Sequence, residues 1–185
     1  MTISLHNALA TGKMDRGQRI KALQTEGYSY DSTLSNKNNA TYFNPHTNKL
    51  LFNVKGTDPT SVRDIWTDVR LATGHLKGSD RYKESRDLLT RAKSHHKGAE
   101  TTITGYSLGG AIAGYIGSKA DKVYTYNKGA TLGQSVRGNE TAYRSGGDLV
   151  SSANAGANRM TTLKNYFNPL SAHNLGNIKN EKIFI

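Results

Sequence analysis

Cysteine is absent from the 185 residues. That excludes disulfides, a thiolate metal centre and a cysteine nucleophile, and it leaves the redox compartment unreadable. No apolar run approaches the length needed to span a bilayer. The stretch Met1 to Ala10 lacks the basic head and long apolar core of a signal peptide. A cytoplasmic or virion-associated location is therefore left open. Neither an internal repeat nor a linker is visible, so residues 1–185 read as a single domain long enough to bury a core. Acidic residues are in deficit, with 14 Asp and Glu against 25 Lys and Arg, for a formal net charge of +11. Such a surplus suits an anionic neighbour such as a phospholipid headgroup, a nucleic acid or an acidic protein. The basic residues are scattered, however, and a merely well-solvated surface accounts for them equally.

What is present is an alternation of strand and helix patterns. Residues Ile3 to Leu23 carry Leu5, Ala8, Leu9, Ile20 and Leu23, which suits one or two short helices interrupted at Gly12 and Gly17. Asn36 to Asn39 reads as a turn. Ala40–Asn44 and Lys49–Lys55 flank a turn at Pro45–Asn48 and predict a hairpin. Val62, Ile65, Trp66 and Val69 fall at helical spacing before Gly74, and a second helix starts at Ser79 and ends near Gly98. Strands are expected at Thr101–Thr104, Val123–Tyr126 and Thr141–Arg144. A helix over Ser107–Lys119 lies between the first two. The tail from Ser151 is loop-rich, with a last strand at Lys182–Ile185. This alternation predicts an α/β sandwich around a largely parallel sheet.

At the centre lies TITGYSLGGAIAGYIG, with Ser107 between Gly105 and Gly109. A nucleophilic serine needs a sharp strand-to-helix turn with small neighbours, and the helix start then offers free N–H groups, that of Leu108 among them, to a developing oxyanion. The rival reading is close packing of a βα unit with no chemistry. Serine chemistry also needs a base and a group that orients it. Of six histidines, only His173 lies downstream of Ser107, as the order Ser–acid–His requires. His95 and His96, at the end of a helix, read as surface residues, and no linear spacing suggests a catalytic metal site. The acids between Ser107 and His173 are Asp121, Glu140 and Asp148. Sites on parallel sheets gather at the carboxyl ends of the strands. Asp121 and Glu140 precede strands, whereas Asp148 follows one. Asp148 is thus the preferred acid and Glu140 the outsider.

These residues carry a resemblance. ITGYSLGGAIA closely resembles the serine motif of the class 3 lipase family, the fungal-lipase type of α/β-hydrolase. LLFNVKGTDPTSVRDIWTDVRLATG resembles that family's strand ending in Arg-Gly-Thr or Arg-Gly-Ser, followed by an Asp-Trp and a further Asp. Lys55 stands where the family has Arg, and Trp66 lies one place further from Asp64. KVYTYNKGATLGQSV is similar to the next strand, GGDLVS to the family's Gly-Asp-Pro-Val with Leu149 for Pro, and SAHNLGNI to its His segment. The likeness runs over roughly residues 40 to 178.

The resemblance implies a compact α/β-hydrolase-like fold, with a mostly parallel sheet flanked by helices. It implies hydrolysis of lipid or phospholipid acyl esters through an acyl-enzyme, with no cofactor and no metal. Ser107 would be the nucleophile, Asp148 the orienting acid and His173 the base. Thr57 matches the residue that forms the oxyanion hole together with Leu108, while Asp64 and Asp68 match acidic positions of the following helix. The interval from Asp148 to His173 is short for the family, and the segment after Thr57 is too brief for a long apolar lid. Both departures imply a trimmed hydrolase with an open site. Compact proteins of this look occur in viruses as well as bacteria. The expected partners are a lipid or ester substrate and an anionic membrane surface. The rival class is a non-catalytic basic module of hydrolase fold, such as a capsid-associated protein binding membrane or nucleic acid. The sequence is silent on oligomeric state.

Overall fold

The run KLLFNV is apolar on both faces, so it can be a strand only where both faces are covered. In the computed structural model, which describes residues 2–57, 76–129, 135–154 and 156–185, it is β4 (Lys49–Val54), near the middle of the main sheet. Before it come β1 (Thr2–Ser4), α1 (Leu5–Ala10), α2 (Arg16–Lys21), β2 (Ser29–Tyr30) and β3 (Asn39–Asn44). After it come α3 (Asp80–His95), β5 (Glu100–Tyr106), α4 (Leu108–Ile116), β6 (Lys122–Tyr126) and β7 (Glu140–Gly146). The chain continues through α5 (Leu149–Ser152), β8 (Thr161–Asn165), α6 (Pro169–Ala172) and β9 (Lys182–Phe184).

The main sheet has the order β2-β3-β4-β5-β6-β7-β8. Its first two pairings, β2 with β3 and β3 with β4, are antiparallel; from β4 onward every neighbour is parallel. The β3–β4 hairpin closes where expected. Asn44 Oδ1 accepts the N–H groups of His46 and Thr47, and Asn48 takes a left-handed φ of 51°. Helices α3 and α4 cover one face, where Phe52, Leu89, Ile103, Ile112 and Val123 form a core. The other face is covered by α1 and the C-terminal segment, with Leu9, Leu51, Tyr126, Ile178 and Ile183 among the buried residues. Strand β9 pairs antiparallel with β1 in a separate two-stranded sheet, tying the first described residues to the last.

Helix starts follow the expected chemistry. Ser79 caps α3 by accepting the N–H of Tyr82. Asp15 and Gln18 form a reciprocal capping box on α2, and this carries the helix through Gly17, which does not interrupt it. The helix expected over 62–74 falls outside the described residues, as do Asp64 and Asp68.

Candidate active site

Strand β5 delivers Ser107 to the carboxyl edge of the sheet, where α4 begins. Ser107 holds φ 54° and ψ −124°, a conformation that costs a non-glycine residue free energy and that only surrounding contacts can impose. Three backbone bonds impose it. Ser107 N–H donates to Tyr126 C=O at 3.1 Å, and Ser107 C=O accepts the N–H groups of Ala111 and Gly129 at 3.1 and 3.0 Å. The flanking glycines are sterically required. A Cβ on Gly105 would strike the carbonyl of Gly109, and a Cβ on Gly109 would strike the carbonyls of Val54 and Lys55. The turn is therefore as sharp as a presented nucleophile needs.

The side chains of Ser107, His173 and Asp148 meet. Ser107 Oγ lies 3.0 Å from His173 Nε2, and His173 Nδ1 lies 2.6 Å from Asp148 Oδ1. All three are buried, at 2%, 4% and 1% exposure. With its proton on Nδ1, His173 donates to Asp148, and Nε2 is left to accept the serine hydroxyl proton. Asp148 follows β7 and caps α5, its second oxygen accepting Ser151 N–H at 2.9 Å. Both carboxylate oxygens are thus held.

Glu140, the alternative acid, is committed elsewhere. It begins β7 and forms a fully buried pair with Lys128 at 2.9 Å, while also accepting from Thr125 Oγ1 and from the Arg137 N–H. Burial pushes the Lys128 ammonium below the usual lysine range, and the Glu140 carboxylate pulls in the opposite direction.

The two residues expected to bind an oxyanion come from separate chain segments, one after β4 and one at the start of α4. Leu108 is the first residue of α4, so its N–H has no intrahelical acceptor. Thr57 lies just beyond β4. Its neighbour Gly56 packs so closely on Tyr106 that an added Cβ would sit 2.9 Å from the ring. The Thr57 hydroxyl is buried without a hydrogen-bond partner among the described residues. A developing negative oxygen would supply the missing acceptor.

Sequence reasoning missed the residues that hold His173 in place. Asn127, left-handed at φ 43°, donates from Nδ2 to Ala172 C=O at 2.9 Å and accepts Ser145 N–H at 2.8 Å. It thereby ties the strand before Asp148 to the residue before His173. Tyr106 donates to His173 C=O, and its ring lies 5.1 Å from the imidazole. Tyr126 donates to Asn174 C=O at 3.2 Å; burial pushes its phenol pKa up, so it stays a neutral donor. The available signal was an asparagine directly after a predicted strand. Its partners, Ser145 N–H and Ala172 C=O, lie 18 and 45 residues away and leave no local trace.

No family model matches the chain, and no curated protein matches its sequence. Solved structures do match. A fungal lipase–inhibitor complex, described as a model for interfacial activation, superposes with TM-score 0.53 at 14% identity, covering 79% of this chain and 71% of that one. A structure of fungal lipases gives TM-score 0.46 at 14% identity over 79% and 70% of the two chains. The Rhizomucor miehei lipase–propeptide complex gives 0.45 at 12% over 79% and 60%. At 14% identity the likeness to the first of these is one of fold: the chain has an α/β-hydrolase-like fold, a mostly parallel sheet flanked by helices.

Proposed function

We propose that this chain is a serine ester hydrolase acting on lipid or phospholipid acyl esters, and that residues 1–185 form one lipase-like domain. The observation that carries the reading is the hydrogen-bonded series Ser107–His173–Asp148 on a strained strand-to-helix turn. Ser107 Oγ attacks the acyl carbonyl carbon as its proton passes to His173 Nε2. Asp148 stabilises the imidazolium through Nδ1–H. The carbonyl oxygen becomes an oxyanion, held by the N–H of Leu108 and by Thr57. The tetrahedral adduct expels the alcohol, which takes the proton from Nε2, and an acyl-enzyme remains. Water then gives a proton to Nε2 and attacks the acyl carbon, the adduct collapses, and Ser107 recovers its proton as the carboxylic acid leaves.

Two surface features support a lipid substrate. Leu149, Phe167 and Leu170 are exposed apolar side chains on the segments that carry Asp148 and His173. A cavity of about 470 Å³ is lined by Lys13, Arg16, Arg19, Lys37 and Lys55, with Asp15 as its acid. Arg19 donates to backbone carbonyls, among them those of Thr11 and Asn36, and Lys13, Arg16, Lys37 and Lys55 complete the basic lining. The cavity adjoins the turn: Lys13 Nζ stands 5.7 Å over the ring of Tyr106. A phosphate-bearing headgroup suits that lining, with the acyl ester reaching Ser107.

A serine-reactive fluorophosphonate probe tests the reading. It should label Ser107, and Ser107→Ala should abolish labelling in a protein that still folds. A folded wild type left unlabelled would favour the non-catalytic basic module. Labelling at Ser151 or Ser171 would overturn the site.

A further inference from the structure

Asp31 is far in sequence from the adjacent His95 and His96, yet each of the three brings one ligand atom within 4.8 Å of the other two. They take no part in the serine site. His95 ends α3, and β5, 7 residues long, runs from near there to the Ser107 turn, a separation of about 20 Å. The adjacent histidines converge because the chain leaves the helix at His96, where φ is −100° and ψ 59°. In a continuing helix, consecutive side chains point about 100° apart. Here the rings lie 4.8 Å apart, edge to face.

We propose that Asp31, His95 and His96 form a zinc site that fastens the end of α3 to the loop between β2 and β3. Two imidazoles and one carboxylate are a ligand set that zinc accepts, with water as the fourth ligand. Two of the three ligands are already oriented. Asp31 Oδ1 accepts Thr33 N–H, Thr33 Oγ1–H and Leu34 N–H at 2.9, 2.7 and 3.1 Å, which turns Oδ2 toward the histidines. The His96 ring is stacked on Phe43 at 4.0 Å, and its Nε2 is buried without a hydrogen-bond partner. That nitrogen stands 3.6 Å from Asp31 Oδ2, too far for a hydrogen bond. A metal between them would satisfy both. Tetrahedral zinc sets its ligands about 3.3 Å apart. The exposed His95 ring closes the remaining gap by a rotamer change, and its exposure gives the metal a way in.

The test uses tag-free, chelator-stripped protein titrated with zinc chloride. One equivalent should bind. The melting temperature should rise by about 5–10 °C when free zinc exceeds Kd about 100-fold. Cobalt(II) should give the intense visible absorption of a tetrahedral site, and magnesium and calcium should not compete. His95→Ala, at an exposed position, should melt like the wild type without metal yet bind zinc at least 10-fold more weakly. Asp31→Asn should behave similarly toward zinc, while His46→Ala, at an exposed histidine outside the cluster, should bind normally. Absence of stoichiometric binding would overturn the site. So would wild-type affinity in His95→Ala and Asp31→Asn, or an octahedral cobalt spectrum.

Discussion

Ser107 and Asn127 hold left-handed backbone angles without being glycine, and both sit at the carboxyl edge of the sheet. Strain of this kind persists where neighbouring contacts over-determine it. At Ser107 the return is an Oγ aimed at His173 Nε2; at Asn127 it is an amide aimed at two segments at once. On the proposed assignment Ser107, His173 and Asp148 act as a unit, so single losses should not add. Ser107→Ala and His173→Ala should each lower kcat by about 10⁶-fold, and Asp148→Asn by about 10⁴-fold. Glu140→Gln should do something different. It strands the Lys128 charge in a buried site, costing about 3–5 kcal/mol of stability, yet leaves the turnover of the folded fraction near wild type. Steady-state kinetics on a soluble short-chain ester, paired with thermal melts, separates the two effects. Should Glu140→Gln abolish turnover while Asp148→Asn is tolerated, the acid is wrongly assigned.

At the scale of elements, the turn between β5 and α4 depends on helix and strand coming closer than side chains permit. Gly109 and Gly110 are adjacent but unequal. A Cβ on Gly109 meets backbone carbonyls that cannot yield, whereas one on Gly110 comes no nearer than 3.2 Å to Gly105 O. Gly109→Ala should therefore destabilise the fold by at least about 3 kcal/mol, and Gly110→Ala by about 1 kcal/mol or less. Chemical denaturation of the two variants checks the ranking; equal costs would mean that the turn relaxes. The same spacing of small residues made this βα unit legible in the sequence. The β3–β4 hairpin was legible for a similar reason, through apolar runs around Pro45. Other elements were hidden. Strand β8 (TTLKN) is a largely exposed edge strand, without the apolar alternation that marks a half-buried one. Strand β2 is 2 residues long, and β1 exists by pairing with β9 at the far end of the chain. Such pairing is a property of the assembled fold. For the same reason the acid and base could be chosen by chain order and strand polarity, while Asn127, Tyr106 and Tyr126 could not. Their hydrogen bonds run to carbonyls of residues 172–174, which carry no side-chain signature.

For the whole molecule, the net charge of +11 and the exposed Leu149, Phe167 and Leu170 bear on one step of the proposed function, arrival at a lipid interface. Each Lys or Arg close to an anionic membrane contributes about 1 kcal/mol, an attraction that salt screens over a Debye length of about 10 Å at 0.1 M. Insertion of Phe167 and Leu170 is hydrophobic and should resist salt. Anionic vesicles should accordingly bind more tightly than neutral ones at low salt and lose that advantage as salt rises. Phe167→Ser should weaken binding to both at every salt concentration. Phe167 is fully exposed, so the variant should fold and should hydrolyse a dissolved short-chain ester at the wild-type rate. Vesicle sedimentation alongside fatty-acid release, across a salt series, reads both contributions. Equal, salt-insensitive binding to the two vesicle types would remove the electrostatic part, and unchanged binding of Phe167→Ser the hydrophobic part. The assignment of Ser107, Asp148 and His173 would stand in either case, because hydrolysis of the dissolved ester needs no docking.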